Sequence, residues 1–320
     1  RFQIGYESTP GTAVPATRKM IGTGNIKYDS KVEVPEDDER GTMIEHYRAH
    51  LVGKGATWNF SGDCLYEDII DWLTMVVKGD VTPVQQAATV AYLWTCAPAT
   101  TAVPTIKTAT IEYGDNAQEY EAEYCMAQNL EISGSIESIV KVKVDGFGRQ
   151  VAASTFTASL ADRVANAVLS ANGQIYINAT GAAIGTTAIA ATLIDFSVKY
   201  RSGAAPSKRI DGNLYFGAVG YKKRGCDIDL TYELNTSSIA EVVKLEAETK
   251  AFIRLKFTGP LIVSTYYNYL WLDGCYRLTD VSELGEADGI STIKVSGTAV
   301  YDSTWGKDFE VAVMAERAAL

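Results

Sequence analysis

The sequence has little of what catalysis, metal binding and membrane insertion require. It contains only two histidines, so the usual nucleophile, base and acid arrangement has little to draw on. Its five cysteines are odd in number and include no CxxC pair, which favours free, buried thiols over a zinc site. No apolar run approaches the roughly 20 residues that cross a bilayer, and the first residues lack the apolar block of a signal peptide. These absences predict a soluble globular protein made in a reducing cytoplasm.

An excess of basic residues is also absent. The chain has 29 Lys and Arg against 39 Asp and Glu, a formal net charge of −10. The imbalance is concentrated in residues 1–168, which hold 22 acidic residues against 14 basic ones. Affinity for a phosphate backbone comes from Lys and Arg displacing counterions, so we expect no specific DNA binding. The opposite property, repulsion of DNA by the acidic chain, stays open.

Most of the chain alternates apolar and polar residues with a period of two, which is typical of strands with one face in water. In the stretch CDIDLTYEL, Ile228, Leu230 and Tyr232 alternate with acidic and threonine side chains. The stretches IVKVKV and STIKVSGTAVY repeat the pattern around Val142 and Val295. The sequence therefore predicts an all-β fold of antiparallel strands.

Helical spacing occurs clearly twice. In DCLYEDIIDWLTMVVKG it predicts a helix from about Tyr66, with Asp63 as the N-cap and Lys78 near the end. In NTSSIAEVVKLE, Ser238 and Glu241 are typical of a capping box at the start of a second helix. Each predicted helix follows a predicted strand.

The chain repeats itself. FQIGYESTPGTAV returns as GQIYINATGAAIGTTA, with an offset of 171 between Gln3 and Gln174. The two strand-helix units have nearly the same offset, and the surroundings of Cys125 and Cys275 resemble each other at an offset of 150. A Pro-, Ala- and Thr-rich loop in residues 79–105 accounts for the drop. We therefore predict two copies of one β fold, residues 1–165 and 166–320, each with one flanking α-helix.

Two groups of residues are candidates for chemistry. Glu45, His46 and His50 could hold a metal, because histidines at i and i+4 can chelate on a helix. The stretch IEHYRAH lacks the HExxH order and lies between a turn and a strand, which favours an exposed strand. Asp227 and Asp229 could serve glycoside hydrolysis, but alternate carboxylates on a wet strand face are far more often only solvated. The sequence predicts no enzyme, no metal and no cofactor.

Two charged runs are candidates for contacts between subunits. The acidic run consists of Glu36, Asp37, Asp38, Glu39 and Arg40. The basic run consists of Lys222, Lys223 and Arg224. If the acidic loop of one subunit meets the basic patch of another, register and association rate improve. The alternative is that both runs are solvated loop tips.

Three segments carry a resemblance to a known family. GYESTPGTAVPATRKM, IEYGDNAQEYEAEYC and VKVDGFGRQV together resemble the tail tube (major tail) proteins of long-tailed, non-contractile bacteriophages. The resemblance implies small β-barrels or sandwiches, each flanked by a helix, whose sheets join those of neighbours into rings stacked around a genome channel. For a chain with two fused folds it implies three chains per ring of pseudo-sixfold symmetry. It also implies a tape measure protein and other tail proteins as partners, and a place in the virion after assembly in the host cytoplasm.

The resemblance gives the acidic composition a role, because a lumen rich in carboxylates repels DNA phosphates and lets the genome slide. The candidates for the lumen lining are Asp227, Asp229 and Glu233, and the matching strand ATWNFSGDC offers Thr57, Asn59 and Ser61. An outward-facing strand is the alternative for these residues.

Two other functions remain open. A two-domain β-sandwich binding module, such as an adhesin or a carbohydrate-binding protein, would use an aromatic platform, for which Tyr266, Tyr267 and Tyr269 are candidates. An acid-pair hydrolase on a β scaffold is a further alternative.

Overall fold

The computed structural model describes all 320 residues except 37–40, 42, 190–192, 237, 238, 240–248, 283 and 288. The structure is all-β with antiparallel strand pairs, which confirms the prediction from the period-two pattern. One α-helix, α1 (Ile69–Val76), occurs in the described part of the chain. No helix of these described residues has the length and apolar composition that a membrane crossing requires.

Twelve strands occur in the described residues of the first half. They are β1 (Phe2–Tyr6), β2 (Arg18–Lys19), β3 (Thr23–Tyr28), β4 (Lys31–Glu33), β5 (His50–Gly53), β6 (Ala56–Asp63), β7 (Val84–Gln85), β8 (Tyr92–Cys96), β9 (Ala109–Gly114), β10 (Glu119–Ser135), β11 (Lys141–Gly148) and β12 (Gln150–Ala153).

Eleven strands occur in the described residues of the second half. They are β13 (Gly173–Asn178), β14 (Ala188–Ile189), β15 (Leu193–Arg201), β16 (Ala204–Ser207), β17 (Ala218–Tyr221), β18 (Gly225–Glu233), β19 (Lys250–Val263), β20 (Tyr266–Val281), β21 (Gly285–Ala287), β22 (Ile290–Ala299) and β23 (Phe309–Ala315).

The strands of each half pair in the same order. In the first half the two sheets are β1-β9-β10-β12 and β3-β6-β11-β10. In the second half they are β13-β19-β20-β23 and β15-β18-β22-β20. One long strand in each half, β10 or β20, therefore belongs to both sheets. Among the described strands these pairings close no barrel, so each half is two sheets that share a strand.

The registers of the two halves agree as well. β10 skips one residue, Gln128, between its partners on β11, and β20 skips Thr279 between its partners on β22. Gly146 lies opposite the residue before the first bulge, and Gly297 lies opposite the residue before the second. A β-bulge at the same place in both halves is a specific feature that supports the predicted repeat.

One apolar core extends through both halves. In β18 burial alternates residue by residue, with Ile228, Leu230 and Tyr232 inside, as the sequence predicts. The matching strand β6 buries Trp58 and Phe60 in the same way. A fully buried side chain of this size contributes about 1.5–3 kcal/mol, so the alternation holds each strand in its register.

The helix α1 begins later than the sequence predicts. The prediction that Asp63 caps the helix is wrong, because Asp63 is the last residue of β6 and lies opposite Lys141 of β11. The chain continues this contact through Cys64, so the helix begins only after Asp68 at the N-cap. Ser238 and Glu241, which predict the second helix, both lie outside the described residues.

The Pro-, Ala- and Thr-rich segment is more than the loop that its composition predicts. It contains β7 and β8, and β8 pairs with β23 from Tyr92 opposite Ala315 to Cys96 opposite Val311. Trp94 and Cys96 are buried at alternate positions. The alternating aromatic residues in YLWTC favour a strand more than the flanking prolines oppose it. Through β8, a strand of the first half joins a sheet of the second half.

Candidate assembly surface

Besides β8 and β23, a second pair of strands, β10 and β15, joins the two halves. β10 and β15 run antiparallel over seven residue pairs, from Asn129 opposite Arg201 to Ser135 opposite Asp195. This pair joins one sheet of each half into a single sheet of the order β3-β6-β11-β10-β15-β18-β22-β20. We call the β10–β15 pair the internal junction.

The internal junction has a continuous apolar face. Leu130 lies opposite Tyr200, and Ile132 lies opposite Val198. All four side chains are buried, and Tyr200 is only 1% exposed. Cross-strand pairs that contain an aromatic or β-branched residue each contribute roughly 0.2–1 kcal/mol. The junction is therefore part of the core and more than a contact between surfaces.

A serine directly after β15 contacts the bulge of the first half. Ser202, which has no exposed surface, donates its N–H to the Gln128 carbonyl oxygen at 2.8 Å and its hydroxyl to the Ala127 carbonyl oxygen at 2.9 Å. Gln128 is the bulge residue, and its Nε2 donates to the Ala204 carbonyl oxygen at 2.9 Å. The extra residue in β10 therefore provides hydrogen-bonding groups for the second half.

The two-stranded sheet β16–β17 then packs against the first half. The buried ring of Phe216 lies 5.1 Å from that of Tyr124 and 5.4 Å from that of Phe147, measured between centroids. Near the start of β6, Lys54 donates its backbone N–H to the Leu214 carbonyl oxygen at 2.8 Å. The β16–β17 sheet and its loop therefore cross the internal junction.

Two other strand edges correspond to the two edges that form the internal junction. β3 corresponds to β15, because YDS at 28–30 matches YRS at 200–202 and β3 pairs with β6 as β15 pairs with β18. No described strand pairs with the other edge of β3. The end of β20 with β21 corresponds to the end of β10, and no described strand pairs with its outer edge either. Tyr28, the counterpart of Tyr200, is 54% exposed.

The predicted lumen residue Asp227 lies between two neighbouring strands. It forms an ion pair with Arg201 of β15 and accepts a hydrogen bond from Thr298 Oγ1 of β22 at 2.9 Å. The hydrogen bond to Asp227 holds the pKa of Arg201 above its ordinary value. The charge of Asp227 is thus balanced within the same face of the sheet.

Asp229 is balanced in the same way. It accepts hydrogen bonds from Ser296 Oγ at 2.6 Å and from Lys199 Nζ at 3.3 Å. Burial raises the pKa of Asp229, but these hydrogen bonds outweigh it and hold the pKa below its usual value. Glu233 lies exposed at the end of β18. The sequence of β18 alone predicts an acidic face. The alternation of Lys199 and Arg201 in LIDFSVKYR is the sequence signal that would have indicated the basic partners on β15.

In the basic run, Arg224 is held within its own chain. Its Nη1 and Nη2 contact the two carboxylate oxygens of Asp308 at 2.5 and 2.9 Å, and its Nε donates to the Ala99 carbonyl oxygen at 3.2 Å. Burial lowers the pKa of Arg224, but the hydrogen bonds to Asp308 outweigh it and leave the pKa raised.

The other charged residues of the two runs are less constrained. Lys222 and Lys223 are exposed, and so is Glu36. Residues 37–40 of the acidic run lie outside the described residues. A contact between the acidic run and Lys222 and Lys223 of another subunit therefore stays a prediction.

The candidate metal ligands do not converge in the structure. His46 Nε2 lies 3.5 Å from Glu45 Oε1, whereas His50 begins β5. In the described part of the chain, no three His, Cys, Asp or Glu side chains are grouped so that they could hold a metal. The five cysteines are free and buried, as the sequence predicts.

The candidate aromatic platform is largely occupied within the chain. The ring of Tyr269 stacks on that of Trp271 with 4.3 Å between centroids, and the guanidinium of Arg254 lies 4.2 Å from the Trp271 ring centre. Tyr266 is half-buried, and Tyr267 is 47% exposed.

A buried charge cluster connects the C-terminal segment to α1. Asp71, which has no exposed surface, accepts hydrogen bonds from Arg317 Nη1 and Nη2 at 2.8 and 2.7 Å and from the Tyr6 hydroxyl at 2.6 Å. Arg18 Nε lies 3.2 Å from the same carboxylate. Trp94 Nε1 donates to the Arg317 carbonyl oxygen at 2.8 Å. The cluster joins both ends of the chain around one helix.

The structure thus defines an antiparallel β protein that joins two similar halves by strand pairing, and no described strand pairs with the corresponding edges at the two ends of the joined sheet. In a comparison with known protein families, the model of the phage tail tube protein family matches residues 1–299 of the chain. The chain belongs to the phage tail tube protein family, which confirms the resemblance in the sequence. The comparison with curated proteins gave no match. As a member, the chain is a structural component of the bacteriophage tail and of the virion.

Proposed function

We propose that the chain polymerises as stacked rings into the phage tail tube and so forms the conduit for genome ejection. The internal junction is the observation that carries the proposal. The two edges that form it recur at β3 and at β20 with β21, where no strand of the described residues pairs with them, so the same junction can form between chains. Three chains with two fused domains each, residues 1–165 and 166–320, give a ring of pseudo-sixfold symmetry.

The internal junction predicts the register between chains. Leu130 lies opposite Tyr200, and their counterparts by strand pairing are Val281 and Tyr28. We therefore expect Val281 of one chain opposite Tyr28 of the next. This pair removes the exposed ring of Tyr28 from water, and the hydrogen bonds of both open edges are completed.

The polar face of the joined sheet is our candidate for the lumen lining, through Asp227, Asp229 and Glu233. Because Asp227 and Asp229 balance Arg201 and Lys199, this face has no unpaired bases at these positions to hold DNA phosphates. DNA then passes without specific binding. The tape measure protein and other tail proteins are the further partners, and the host cytoplasm is the place of assembly.

The acidic run is our candidate for a contact with Lys222 and Lys223 of another chain, either beside it in the same ring or in the next ring of the stack. Within the chain, the loop after β16 contacts Lys54, which precedes β6 as Arg224 precedes β18. The loop between β4 and β5 carries the acidic run and would reach the corresponding place on a neighbour. Replacing Glu36, Asp37, Asp38 and Glu39 with Ser should slow assembly at low salt without unfolding the subunit. Equal assembly rates across salt concentrations would contradict this contact.

Electron microscopy of the purified protein tests the proposed function. Rings or tubes support it. Dispersed single chains that bind glycans favour the binding module, and dispersed chains with turnover favour the hydrolase. The variant Tyr28→Glu should stay folded but remain dispersed, because a charge at the open edge opposes strand addition. Val90→Glu is the matched control, since Val90 is 55% exposed and lies between β7 and β8, of which β8 pairs with β7 and β23 and not with β3.

A cysteine pair tests the register separately. Tyr28→Cys combined with Val281→Cys should form disulfides between chains, whereas each single variant should not. The same register places Asp29 opposite Asp280, an unfavourable pair. Asp280→Asn should therefore strengthen association. Tubes that form without this cross-link would leave the function standing and refute the register.

A further inference from the structure

Each half carries a small two-stranded sheet at the same place in the chain. The sheet β4–β5 lies between β3 and β6, and the sheet β16–β17 lies between β15 and β18. The surroundings of the two sheets differ. The β16–β17 sheet packs across the internal junction, whereas β3, the strand before β4–β5, has one edge with which no described strand pairs. Within the described part of a single chain, β4–β5 therefore lacks the kind of strand junction across which β16–β17 packs.

The β4–β5 sheet leaves several apolar side chains in water. Val32 is 52% exposed, Leu51 42% and Val52 41%, and Val34 directly after β4 is 44% exposed. On the other sheet, Ala204 is only 3% exposed. A single exposed apolar residue is ordinary, but three on so small a sheet and a fourth directly after it are typical of a surface that another molecule covers.

The serine that precedes each sheet shows the same contrast. Ser202 is fully buried and donates two hydrogen bonds to carbonyl oxygens at the bulge of β10. Its counterpart Ser30, in the matching YDS segment, is exposed. The bulge that corresponds to Gln128 is at Thr279, on the edge of the second half that no described strand covers. The donor and the acceptors of this contact are both present in each chain, but at opposite ends of the joined sheet.

We propose that Ser30 and the β4–β5 sheet of one chain pack across the junction with the next chain of the ring, over the bulge at Thr279. The partner is a second copy of this chain, and the proposal rests on the proposed ring. Ser30 donates its N–H and hydroxyl to the carbonyl oxygens of Thr279 and Leu278, as Ser202 does to Gln128 and Ala127. The exposed apolar side chains of β4–β5 are then covered by the neighbour, and the internal junction is the template for the interface.

Two double variants with opposite expectations test the apolar contact. Val32→Ser with Leu51→Ser should unfold at the same denaturant concentration as the original chain, because both side chains are exposed in the single chain. Its association into rings, measured by sedimentation velocity, should weaken by about tenfold or more, since two buried contacts are lost. The control Val84→Ser with Val90→Ser removes side chains that are 60% and 55% exposed and should assemble normally.

A cysteine pair tests the position of the contact. Ser30→Cys combined with Thr279→Cys should link neighbouring chains in isolated rings under mild oxidation. The native cysteines are buried and do not compete. Each single variant should give no link between chains.

The outcomes separate this proposal from the proposed function. A cross-link in isolated rings together with weakened association of the Val32 and Leu51 variant supports the proposal. If the original chain forms tubes while that variant assembles normally or the cross-link is missing, the proposal is overturned and the proposed function stands. A cross-link that appears only in stacked tubes places the contact between rings and also overturns the proposal. A chain that never assembles overturns both.

Discussion

Asp71 is a single residue on which the packing of both chain ends depends. Its carboxylate has no exposed surface and is held by Arg317, which lies 246 residues further along the chain. The stretch IIDWL gives no sign of this, because a charged residue within an apolar helix is most often turned to water. Sequence reasoning could predict the helix from its stripe, but a partner this distant follows only from the fold.

The Asp71–Arg317 pair gives a prediction at the residue scale. Arg317→Ala should lower the free energy of unfolding by about 3–5 kcal/mol, because the Asp71 carboxylate stays buried with a main partner removed. Chemical denaturation at pH 7 measures the change. Lys19→Ala is the control, since Lys19 pairs with Asp162 at an exposed site and should matter far less. Equal losses in the two variants would contradict the structural role of the cluster.

Among the elements, strands with alternating burial follow directly from the sequence. The patterns of β11, β18 and β22 are as predicted, since each has one wet face and one buried face. The bulges at Gln128 and Thr279 could not be predicted, because a bulge is defined by the partner strand and not by the strand that contains it. Likewise, Asp63 belongs to β6 because it pairs with Lys141 of the neighbouring strand β11, although its position before the apolar stripe of α1 fits an N-cap.

The two bulges offer a matched comparison at the element scale. A Cβ atom at Gly146 would lie 2.0 Å from the Met126 carbonyl oxygen, whereas at Gly297 the nearest atom would lie 3.1 Å away. Gly146→Ala should therefore destabilise the chain by roughly 1–3 kcal/mol, as overpacking does, and Gly297→Ala by less. Thermal unfolding of the two variants side by side measures the difference. If Gly297→Ala destabilised the chain more than Gly146→Ala, the close contact at the first bulge would have to be relieved by a shift of its neighbours.

At the scale of the whole molecule, the sequence offset of 171 predicts the repeat, and the equal pairing order in both halves agrees with it. How the halves connect could not be predicted, because every strand of a sheet has two edges and the sequence does not say which remain open. The candidate lumen face shows the same limit. Asp227 and Asp229 were visible in their strand, but Arg201 and Lys199 become their partners only through strand pairing.

The charge balance of this face gives a prediction for the assembled tube. Asp227→Asn with Asp229→Asn leaves Arg201 and Lys199 without their carboxylate partners, so the tube should bind double-stranded DNA more strongly at low salt. Genome ejection from particles that carry the variant should slow in a salt-dependent way. Asp115→Asn is the control, since Asp115 lies in the exposed turn between β9 and β10. Normal ejection and unchanged DNA binding would place these carboxylates outside the lumen.

The pairing of β8 with β23 also sets the order of events during translation. Cys96 leaves the ribosome long before its partner Val311, and at the usual rates of synthesis the interval is roughly 10–40 s. During that time β8 has only the short strand β7 as a partner, and the sheet of the second half that it joins does not yet exist. Contacts this distant in sequence form late, so a nascent chain cannot complete this sheet before β23 has been synthesised. A chain that ends before β23 therefore lacks this partner of β8 and cannot form the sheet that connects the two halves here.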